Sequence, residues 1–354
     1  MTTIAEFYGA EGYGTYEVTW GAVPEFRRVA KPANNILVPG FIDIHLHGGW
    51  GIDFMSASRE EMLKLCDLLE ADGYEGFMAT TVTASSQEVL GAMRRMPDHP
   101  AILGVHLEGP FISHKFPGAQ PPGSIQEIPV RESDWDEVLT HPQLRVATMA
   151  PELPHALELT TKLSGRGVIV SMGHSNASYE EARRGLEFGA FHVTHMFNAM
   201  RPLHHREAGI VGYALSNDNV VCELIYDRLH VCFETAKLLL KVKPGDKVVA
   251  VSDSTAATRL MKDTEINMWG QDCIVSESGS VRIKSSDTLA GSTITLLDAF
   301  RNLHADFGPE VAVDLCSHNP RKALGMSGPP RTYTLLNKQL ELECCFSTYG
   351  ERVG

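Results

Sequence analysis

The chain has 354 residues, 43% of them hydrophobic and 21% charged, a balance that excludes a disordered, collagen-like or coiled-coil protein. Its formal net charge is −13, which excludes a broad nucleic-acid-binding surface because such a surface needs a basic patch. The sequence also carries 15 histidines, and most of them fall between His45 and His230.

From residue 36 onward, apolar stretches typical of buried strands alternate with segments of helical periodicity. The predicted strands cover residues 36–44, 76–83, 101–107, 144–150, 167–172, 191–194, 220–225 and 247–251. Helical patterns cover residues 59–71, 179–188, 236–240 and 292–304. This alternation is typical of an α/β protein with a parallel sheet covered by helices. Eight repeats over about 290 residues fit a (β/α)₈ barrel better than an open sheet, since such a barrel takes about 250 residues.

The two ends of the chain fall outside this alternation. Residues 16–20, 333–336 and 340–346 are predicted to form strands joined by turns, which would pair into a small β module beside the barrel. We therefore predict two units: a barrel of residues 39–324, and a small module made from residues 1–38 and 325–354.

Residues of metal-ligand type stand where five of the predicted strands end. His45 and His47 follow the first strand, and their imidazoles point together because alternate residues on a strand face the same side. The other four strand ends carry Glu108, His174, His195 and Asp253. In a barrel these ends meet at one face, so the sequence predicts a single site there.

Imidazole and carboxylate ligands without a thiolate narrow the cofactor to a divalent transition metal, namely Zn, Fe, Mn, Co or Ni. A catalytic site of this kind keeps a position open for water and lowers the pKa of that water to about 7, so hydroxide is available at neutral pH. A carboxylate that is not needed as a ligand can then move protons. Hydrolysis of an amide, an ester or a cyclic amide is therefore the predicted reaction class.

Groups suited to a substrate follow the predicted ligands along the chain. Asn198 and Ala199 come shortly after the sixth strand, and a compact cation cluster of His204, His205 and Arg206 comes next. In an acidic protein this cluster is either a solvated loop or a clamp for an anion, since arginine suits phosphate or carboxylate.

Two later segments are further candidates for ligand contact. His230 is as ambiguous as the cation cluster, being either a loop residue or a substrate contact. The turn of Leu289, Ala290 and Gly291 precedes a helix that is predicted to begin at Ser292, a good capping residue, so its backbone groups would be available to a ligand.

Together these motifs resemble the N-acetylglucosamine-6-phosphate deacetylase family of the amidohydrolase superfamily. The matching runs cover residues 39–48, 106–112, 173–175, 194–200, 205–207, 252–253, 289–292 and 319–320, in family order. Two of these runs, His-Leu-Glu-Gly-Pro-Phe at 106–111 and Thr-His-Met-Phe-Asn-Ala-Met at 194–200, are specific to this family within the superfamily.

The resemblance implies a (β/α)₈ barrel with a small β-sandwich formed by both termini. It also implies metal-dependent hydrolysis of the acetamide of N-acetylglucosamine 6-phosphate, or of a closely related N-acetylhexosamine 6-phosphate, to amino sugar 6-phosphate and acetate. The residues implied for the one or two metal ions are Glu108, His174 and His195 for the main ion, with His45 and His47 for the second. Asp253 would be the general base and acid.

The resemblance further implies a sugar-phosphate pocket and a homodimer. The substrate contacts would come from Asn198, Ala199, Asp227, His230, Leu289, Ala290 and Gly291. Arg206 would reach the phosphate of the ligand in the neighbouring subunit, so a homodimer is expected.

Two segments depart from the family pattern. Where the family has Lys-Gly-Ala-His after the Glu-Gly-Pro run, this chain has Pro-Gly-Ala-Gln, so Ala119 and Gln120 stand as substrate-binding candidates. Gln120 can donate a hydrogen bond to the scissile carbonyl but carries no charge. Where the family has Ala-Asp-Gly-x-His, this chain has Tyr-Asp-Arg-Leu-His, so Arg228 adds a cation and replaces a glycine. These departures bear on the substrate more than on the reaction.

Two alternatives stay open. The first is another deacylase or a cyclic-amide hydrolase of the same superfamily; such enzymes often bridge two metals with a carboxylated lysine, whereas Glu108 offers a carboxylate directly. The second is a catalytically silent homologue that binds a sugar phosphate or a partner protein. The full set of ligand-type residues argues against the silent homologue.

The cysteines and the start of the chain indicate a compartment. The first residues lack the basic start and long apolar run of a secretory signal, and no stretch approaches the roughly 18 apolar residues of a membrane helix. The seven cysteines are scattered, which favours reduced thiols in the core over a disulfide framework or a zinc knuckle. We therefore expect a cytoplasmic protein without a membrane partner.

Overall fold

Eight parallel strands form a barrel at the centre of the computed structural model, which describes residues 2–9, 12–348 and 350–353. In sheet order, which is also chain order, these strands are Phe41–Leu46, Tyr74–Thr80, Ile102–Glu108, Leu144–Met149, Ile169–Met172, His192–Val193, Val221–Ile225 and Val248–Val251. A parallel bridge between Leu46 and Ser254 joins the first strand to the segment after the eighth. The barrel is closed in this way, and the predicted (β/α)₈ fold is confirmed.

Helices follow the strands and pack against the barrel. The α-helices are Arg59–Ala71, Ser86–Arg95, Trp135–Leu139, Ala156–Ser164, Tyr179–Glu187, Gly209–Ser216, Phe233–Val242, Leu296–Phe307, Pro309–Val313 and Asn319–Ala323. Short 3₁₀ turns cover Pro122–Ser124 and Gly245–Lys247, and a π-helical turn covers Asp314–His318. Three of the described helices begin after a serine that forms a capping box with the glutamate three residues further on. The serine hydroxyl accepts from the glutamate N–H, and the glutamate carboxylate accepts from the serine N–H. The pairs are Ser58 with Glu61, Ser85 with Glu88, and Ser178 with Glu181.

Helix Asn319–Ala323 closes the amino end of the barrel. Leu324, directly after it, packs with Ile42 and Val249 in the apolar interior of the barrel. The guanidinium of Arg321 pairs with the fully buried carboxylate of Glu75. Breaking such a pair is costly because the remaining charge stays buried. With this end filled by apolar and paired groups, the opposite, carboxyl end of the barrel is where a polar site can open.

Both ends of the chain contribute to one seven-stranded sheet beside the barrel. Its strands, in sheet order, are Arg352–Val353, Leu342–Ser347, Thr332–Asn337, Asn35–Pro39, Thr2–Gly9, Gly12–Thr19 and Glu25–Arg28. Phe26 and Tyr333 lie four strands apart in this order, which is roughly 19 Å in a flat sheet at about 4.8 Å per strand. Their ring centroids are only 5.8 Å apart, so the sheet folds over a core of its own. The two units predicted from residues 1–38 with 325–354 and from residues 39–324 stay a prediction.

The first predicted strand, residues 36–44, is wrong in one respect, because the chain changes sheets within it. Residues Asn35–Pro39 belong to the terminal sheet, and Phe41–Leu46 belong to the barrel. Gly40 stands at the change, where a Cβ atom would lie 2.2 Å from Thr332 Oγ1 and 2.8 Å from Glu75 Cβ. The close approach of these neighbours requires glycine, and it links the two sheets at this point.

A three-stranded antiparallel sheet that the sequence did not predict follows the eighth barrel strand. It consists of Glu265–Met268, Gln271–Val275 and Val281–Ile283. The indole Nε1 of Trp269, in its first turn, donates to Asp53 Oδ2 at 2.9 Å, and the Gln271 amide donates to the Ala119 carbonyl at 2.7 Å. Asp53 belongs to a small ribbon of Gly48–Gly49 and Ile52–Asp53, so the insert connects two loops at the carboxyl end of the barrel.

The helix predicted to begin at Ser292 begins later, at Leu296, with Thr295 as its N-cap. The backbone N–H of Thr295 donates to Asp298 Oδ2 at 3.1 Å. The Ser292 hydroxyl instead donates to the Ser252 carbonyl, which ties this turn to the end of the eighth strand. Within the part of the chain that the structure describes, none of the helices has both the length and the apolar character needed to cross a membrane.

Candidate metal centre and active site

The residues predicted at the five strand ends lie at one mouth of the barrel. His174, His195 and Asp253 each follow directly or closely on a strand and take left-handed backbone angles, with φ of 47°, 29° and 49°. Such angles are rare outside glycine and cost free energy, so they persist where the surrounding structure imposes them, commonly at functional sites. The backbone turns sharply here, at the point where each strand presents its polar side chain to the mouth.

Glu108, His174 and His195 form the first group of candidate ligands. Glu108 Oε1 lies 3.1 Å from His174 Nε2 and 3.1 Å from His195 Nε2, and the two Nε2 atoms are themselves 3.1 Å apart. His174 Nδ1 lies 3.0 Å from the Phe116 carbonyl, which can only accept, so this nitrogen carries the proton. With Nδ1 donating to that carbonyl, His174 can present the lone pair of Nε2 to a cation held beside Glu108.

His45, His47 and Asp253 form the second group, and Glu108 lies between the two groups. Asp253 Oδ1 lies 3.5 Å from His45 Nε2 and 3.3 Å from His47 Nε2. Glu108 Oε1 lies 3.3 Å from His45 Nε2, while its Oε2 lies 3.3 Å from His47 Nε2. The two oxygens of one carboxylate thus face different neighbours, an arrangement suited to two adjacent ions.

The charges of the site favour a cation. Burial alone would raise the pKa of the Glu108 carboxyl, but the imidazoles around it hold that pKa well below its usual range. Burial would lower the pKa of His47, yet its contacts with Asp253 and Glu108 raise it to about 9. The carboxylates are therefore ionised and draw positive charge to the imidazoles.

The donor set fits a divalent transition metal. In both groups the ligand atoms lie within 4.8 Å of one another, and all six side chains are buried. Among the described atoms, His45 Nε2 has no hydrogen-bond partner although it is buried and faces both carboxylates. Nitrogen and carboxylate oxygen donors are those that Zn²⁺, Fe²⁺, Mn²⁺, Co²⁺ and Ni²⁺ accept.

Gln120 contacts Glu108, in addition to the predicted contact with the scissile carbonyl, which stays a prediction. Its amide Nε2 donates to Glu108 Oε2 at 2.6 Å, and its Oε1 accepts from the Thr83 N–H at 2.7 Å. The second bond fixes which end of the amide faces the carboxylate. Ala119 next to it is held through its carbonyl by Gln271. Gln120 therefore orients a candidate metal ligand in this structure.

His230 and Asp227 form a buried pair after the seventh strand. His230 Nδ1 lies 2.7 Å from Asp227 Oδ2, and both side chains are about nineteen-twentieths buried, at 6% and 5% exposure. Burial lowers the pKa of His230, but the hydrogen bond and charge of Asp227 outweigh it, so the pKa is raised. Arg228, which was expected to add a cation, binds Asp306 at 2.8 Å instead, and its charge is paired there.

Some of the remaining candidate substrate-binding residues lie close to the two ligand groups, and others lie at the surface. The turn of Leu289, Ala290 and Gly291 adjoins Asp253: Gly291 has a φ of 61°, and a Cβ atom there would lie 2.8 Å from the Asp253 carbonyl. Ala199 is also close to the first group. A Cβ atom on Gly118 would lie 3.2 Å from Ala199 Cβ and 3.2 Å from His174 Cε1, so Gly118 lies between the two residues.

Asn198 and Arg206 are less closely tied to the metal groups. The Asn198 amide donates to the His195 and Met196 carbonyls, both at 3.3 Å, so its side chain folds back on the loop. Arg206 is exposed and bonds to His205 Nε2 at 2.9 Å. Within one chain, the structure therefore leaves the predicted cation cluster at the surface.

Two buried carboxylates at the site were missed by sequence reasoning. Glu223 on the seventh strand contacts His45, and Asp43 on the first strand accepts from the N–H groups of His45 and Ser252. Burial raises the pKa of Asp43 to about 7. The available signal for both is an acidic residue inside an apolar strand, whereas the predicted ligands all stand at strand ends.

A closed (β/α)₈ barrel whose strand ends gather imidazoles and carboxylates in two ligand groups defines the class of barrel hydrolases that use metal ions. Residues 36–329 match the amidohydrolase family, and the chain belongs to it.

Named relatives agree with this assignment. The chain is 34% identical over 315 residues to N-acetylglucosamine-6-phosphate deacetylase of Bacillus subtilis (strain 168), covering 86% of this chain and 79% of that protein. It is 32% identical over 302 residues to N-acetylgalactosamine-6-phosphate deacetylase of Escherichia coli O157:H7, covering 83% and 79%. A mutant of N-acetyl-D-glucosamine-6-phosphate deacetylase from Mycobacterium smegmatis, solved in complex with N-acetyl-D-glucosamine-6-phosphate, is 28% identical with a TM-score of 0.89 and 99% coverage of each chain.

Proposed function

We propose that this protein hydrolyses the acetamide of N-acetylglucosamine 6-phosphate, or of a closely related N-acetylhexosamine 6-phosphate, to amino sugar 6-phosphate and acetate. The observation that carries the proposal is the position of Glu108 between two ligand groups at the mouth of an amidohydrolase barrel. The names of the relatives, which all act on a phosphorylated N-acetyl amino sugar, supply the substrate class.

One or two divalent transition-metal ions would be held by these groups. Glu108, His174 and His195 would hold the main ion, and His45 with His47 would hold the second, next to Asp253. A bound ion would polarise the acetamide carbonyl and acidify water at neutral pH. Gln120 holds the Glu108 carboxylate between the two groups in one orientation, because the Gln120 amide is itself fixed by the Thr83 N–H.

Asp253 is the proposed general base and acid. Burial raises the pKa of its carboxyl, but the charges of His45 and His47 lower it overall, so the group is ionised and can accept a proton from water. The same proton is then available for the departing amine, since the products need one proton on nitrogen. Its left-handed backbone position at a strand end holds the carboxylate beside both imidazoles.

The sugar phosphate would be bound by residues around the metal groups. His230, held by Asp227, would offer a positive N–H group when protonated, and Asn198, Ala199 and the turn of residues 289–291 would border the sugar. Arg206 would complete the pocket of a neighbouring subunit in a homodimer, which its exposed position on the single chain allows. We further propose the cytoplasm as the location.

The test is acetate release from the 6-phosphates of N-acetylglucosamine, N-acetylgalactosamine and N-acetylmannosamine, with the three unphosphorylated sugars as controls. The glucosamine derivative is expected to give the highest kcat/KM, and every phosphate is expected to exceed its unphosphorylated control. Preference for the galactosamine derivative would favour the second candidate, which the Escherichia coli relative supports. Acetate release that ignores the phosphate would contradict the proposed substrate class.

A further inference from the structure

A buried carboxylate reaches the metal site from beneath it. Glu223 lies in the middle of the seventh barrel strand, Val221–Ile225, and is fully buried. Its Oε2 lies 3.1 Å from His45 Nδ1 and 3.2 Å from the backbone N of His195. This one oxygen therefore contacts a residue of each ligand group, through a ring nitrogen in one case and the main chain in the other.

The contact with His45 determines which ring nitrogen can bind a metal. An ionised carboxylate only accepts hydrogen bonds, so His45 Nδ1 must carry a proton at this distance. The lone pair of the neutral ring is then on Nε2, which lies 3.3 Å from Glu108 Oε1 and 3.5 Å from Asp253 Oδ1. In the other tautomer, two acceptors would face each other at 3.1 Å and Nε2 would carry a proton instead of a lone pair.

The other candidate ligands are oriented by weaker means. His174 Nδ1 faces a neutral backbone carbonyl, that of Phe116. In the described part of the chain, the Nδ1 atoms of His47 and His195 have no hydrogen-bond partner. Of the four candidate histidine ligands, His45 is therefore the one whose Nδ1 atom contacts a carboxylate. A charged partner of this kind fixes the ring and raises its basicity as a ligand.

We propose that Glu223 is a positioning residue that controls loading of the ion held by His45 and His47. It acts through His45, by fixing the tautomer and the ring plane, and does not itself touch the ion or the substrate. The inference rests on the proposed function, since that function supplies an ion for the second group. The contact of Glu223 with His195 is to the main chain, so the side chains of Glu108, His174 and His195 keep their own partners.

The experiment measures metal binding rather than activity. The full-length protein is stripped with a chelator and titrated with Zn²⁺ against a chromophoric competitor, and Co²⁺ absorption spectra report the coordination. The variants are Glu223→Leu, which removes the acceptor at similar volume, and Glu223→Gln, which keeps an acceptor oxygen without charge. Cys222→Ala is the matched control, since it alters the neighbouring buried residue of the same strand, whose side chain faces away.

The wild type is expected to bind two ions per chain. In Glu223→Leu the weaker ion should lose about 10- to 100-fold in affinity while the tighter ion changes little, because losing such an outer partner typically costs that much. Glu223→Gln should lose less, and Cys222→Ala should match the wild type. If Glu223→Leu fails to fold, a loss of affinity for the weaker ion in Glu223→Gln supports the inference, and no loss overturns it.

Three results would contradict the proposal. If Glu223→Leu binds both ions with wild-type affinity, only the role of Glu223 is overturned, and the proposed function is not affected. An equal loss of both ions in Glu223→Leu and Cys222→Ala makes the residue merely structural and also overturns it. A wild-type chain that takes up a single ion overturns the second site itself, and that failure is visible before any variant is made.

Discussion

Replacing Asp253 by asparagine tests whether this residue moves the proton. Asparagine keeps the size of the side chain and one acceptor oxygen, but it cannot take up a proton at neutral pH. Asp253 has a φ of 49°, a left-handed angle that asparagine tolerates as well as aspartate, so the backbone is not strained by the change. The side chain is 10% exposed, so bulk water has little access to replace it as the base.

A positioned acid–base group contributes roughly 10²- to 10⁴-fold in rate. Converted at about 1.36 kcal/mol per tenfold change, the loss of kcat for Asp253→Asn is about 2.7 to 5.4 kcal/mol of transition-state stabilisation. The assay is acetate release at saturating substrate, with metal content measured on the same sample, because Asp253 Oδ1 also lies 3.3 Å from His47 Nε2.

Asp263→Asn is the matched control, since Asp263 has a φ of 64° and is exposed outside both ligand groups. It is expected to retain wild-type turnover. Turnover of Asp253→Asn within about tenfold of the wild type, with metal retained, would lie below the range for a positioned base and would refute the reasoning.

Three further predictions concern the anion pocket and stability. Arg206→Ala should raise KM about tenfold or more for the phosphorylated sugar and leave KM for the free sugar unchanged, since hydrogen bonds to charged groups contribute about 1.5–3 kcal/mol; equal effects on both sugars would argue against a phosphate clamp. Because Asp227 raises the pKa of His230, the charge of the imidazole persists to higher pH than in an ordinary histidine and is lost as the pH rises through that raised pKa. KM for the phosphorylated sugar should therefore climb on the alkaline side, and a flat KM profile would exclude His230 as the charged contact. Arg321→Met should lower the free energy of unfolding by about 1–3 kcal/mol in urea denaturation, because the buried Glu75 carboxylate loses one partner and keeps only Arg331, whose Nε lies 3.5 Å from Glu75 Oε1 and whose backbone N–H donates to Oε2 at 3.0 Å; a loss below about 0.5 kcal/mol would show that the pair with Arg321 is not needed.

The barrel could be predicted because its information is local. Apolar strands alternate with helices, and capping pairs such as Ser58 with Glu61 fix where helices begin. The predicted ligands could be found because parallel strands all carry their carboxyl ends to one face, so position along the chain is enough to bring His45, Glu108 and Asp253 together.

What the sequence could not supply depends on tertiary contacts. The change of sheets at Gly40 depends on the approach of Thr332, a residue almost 300 positions away. The bond from the Gln120 amide to Glu108 depends on the Thr83 N–H, which fixes the amide, and nothing local in the sequence predicts it. The contact of Gln120 with the substrate stays a prediction. Arg228 was expected to add a cation where the family has a glycine, but its charge is paired with Asp306 on a helix that follows the barrel.

The most direct test of the central claim is the product balance from N-acetylglucosamine 6-phosphate. The metal-loaded protein is incubated with this substrate, and acetate and free primary amine are measured in the same reaction. We predict equal amounts of the two products, formation that stops when a chelator removes the metal, and recovery when a divalent transition metal is restored. The absence of acetate and amine from the metal-loaded protein, with this substrate and with its galactosamine and mannosamine epimers, would contradict the account.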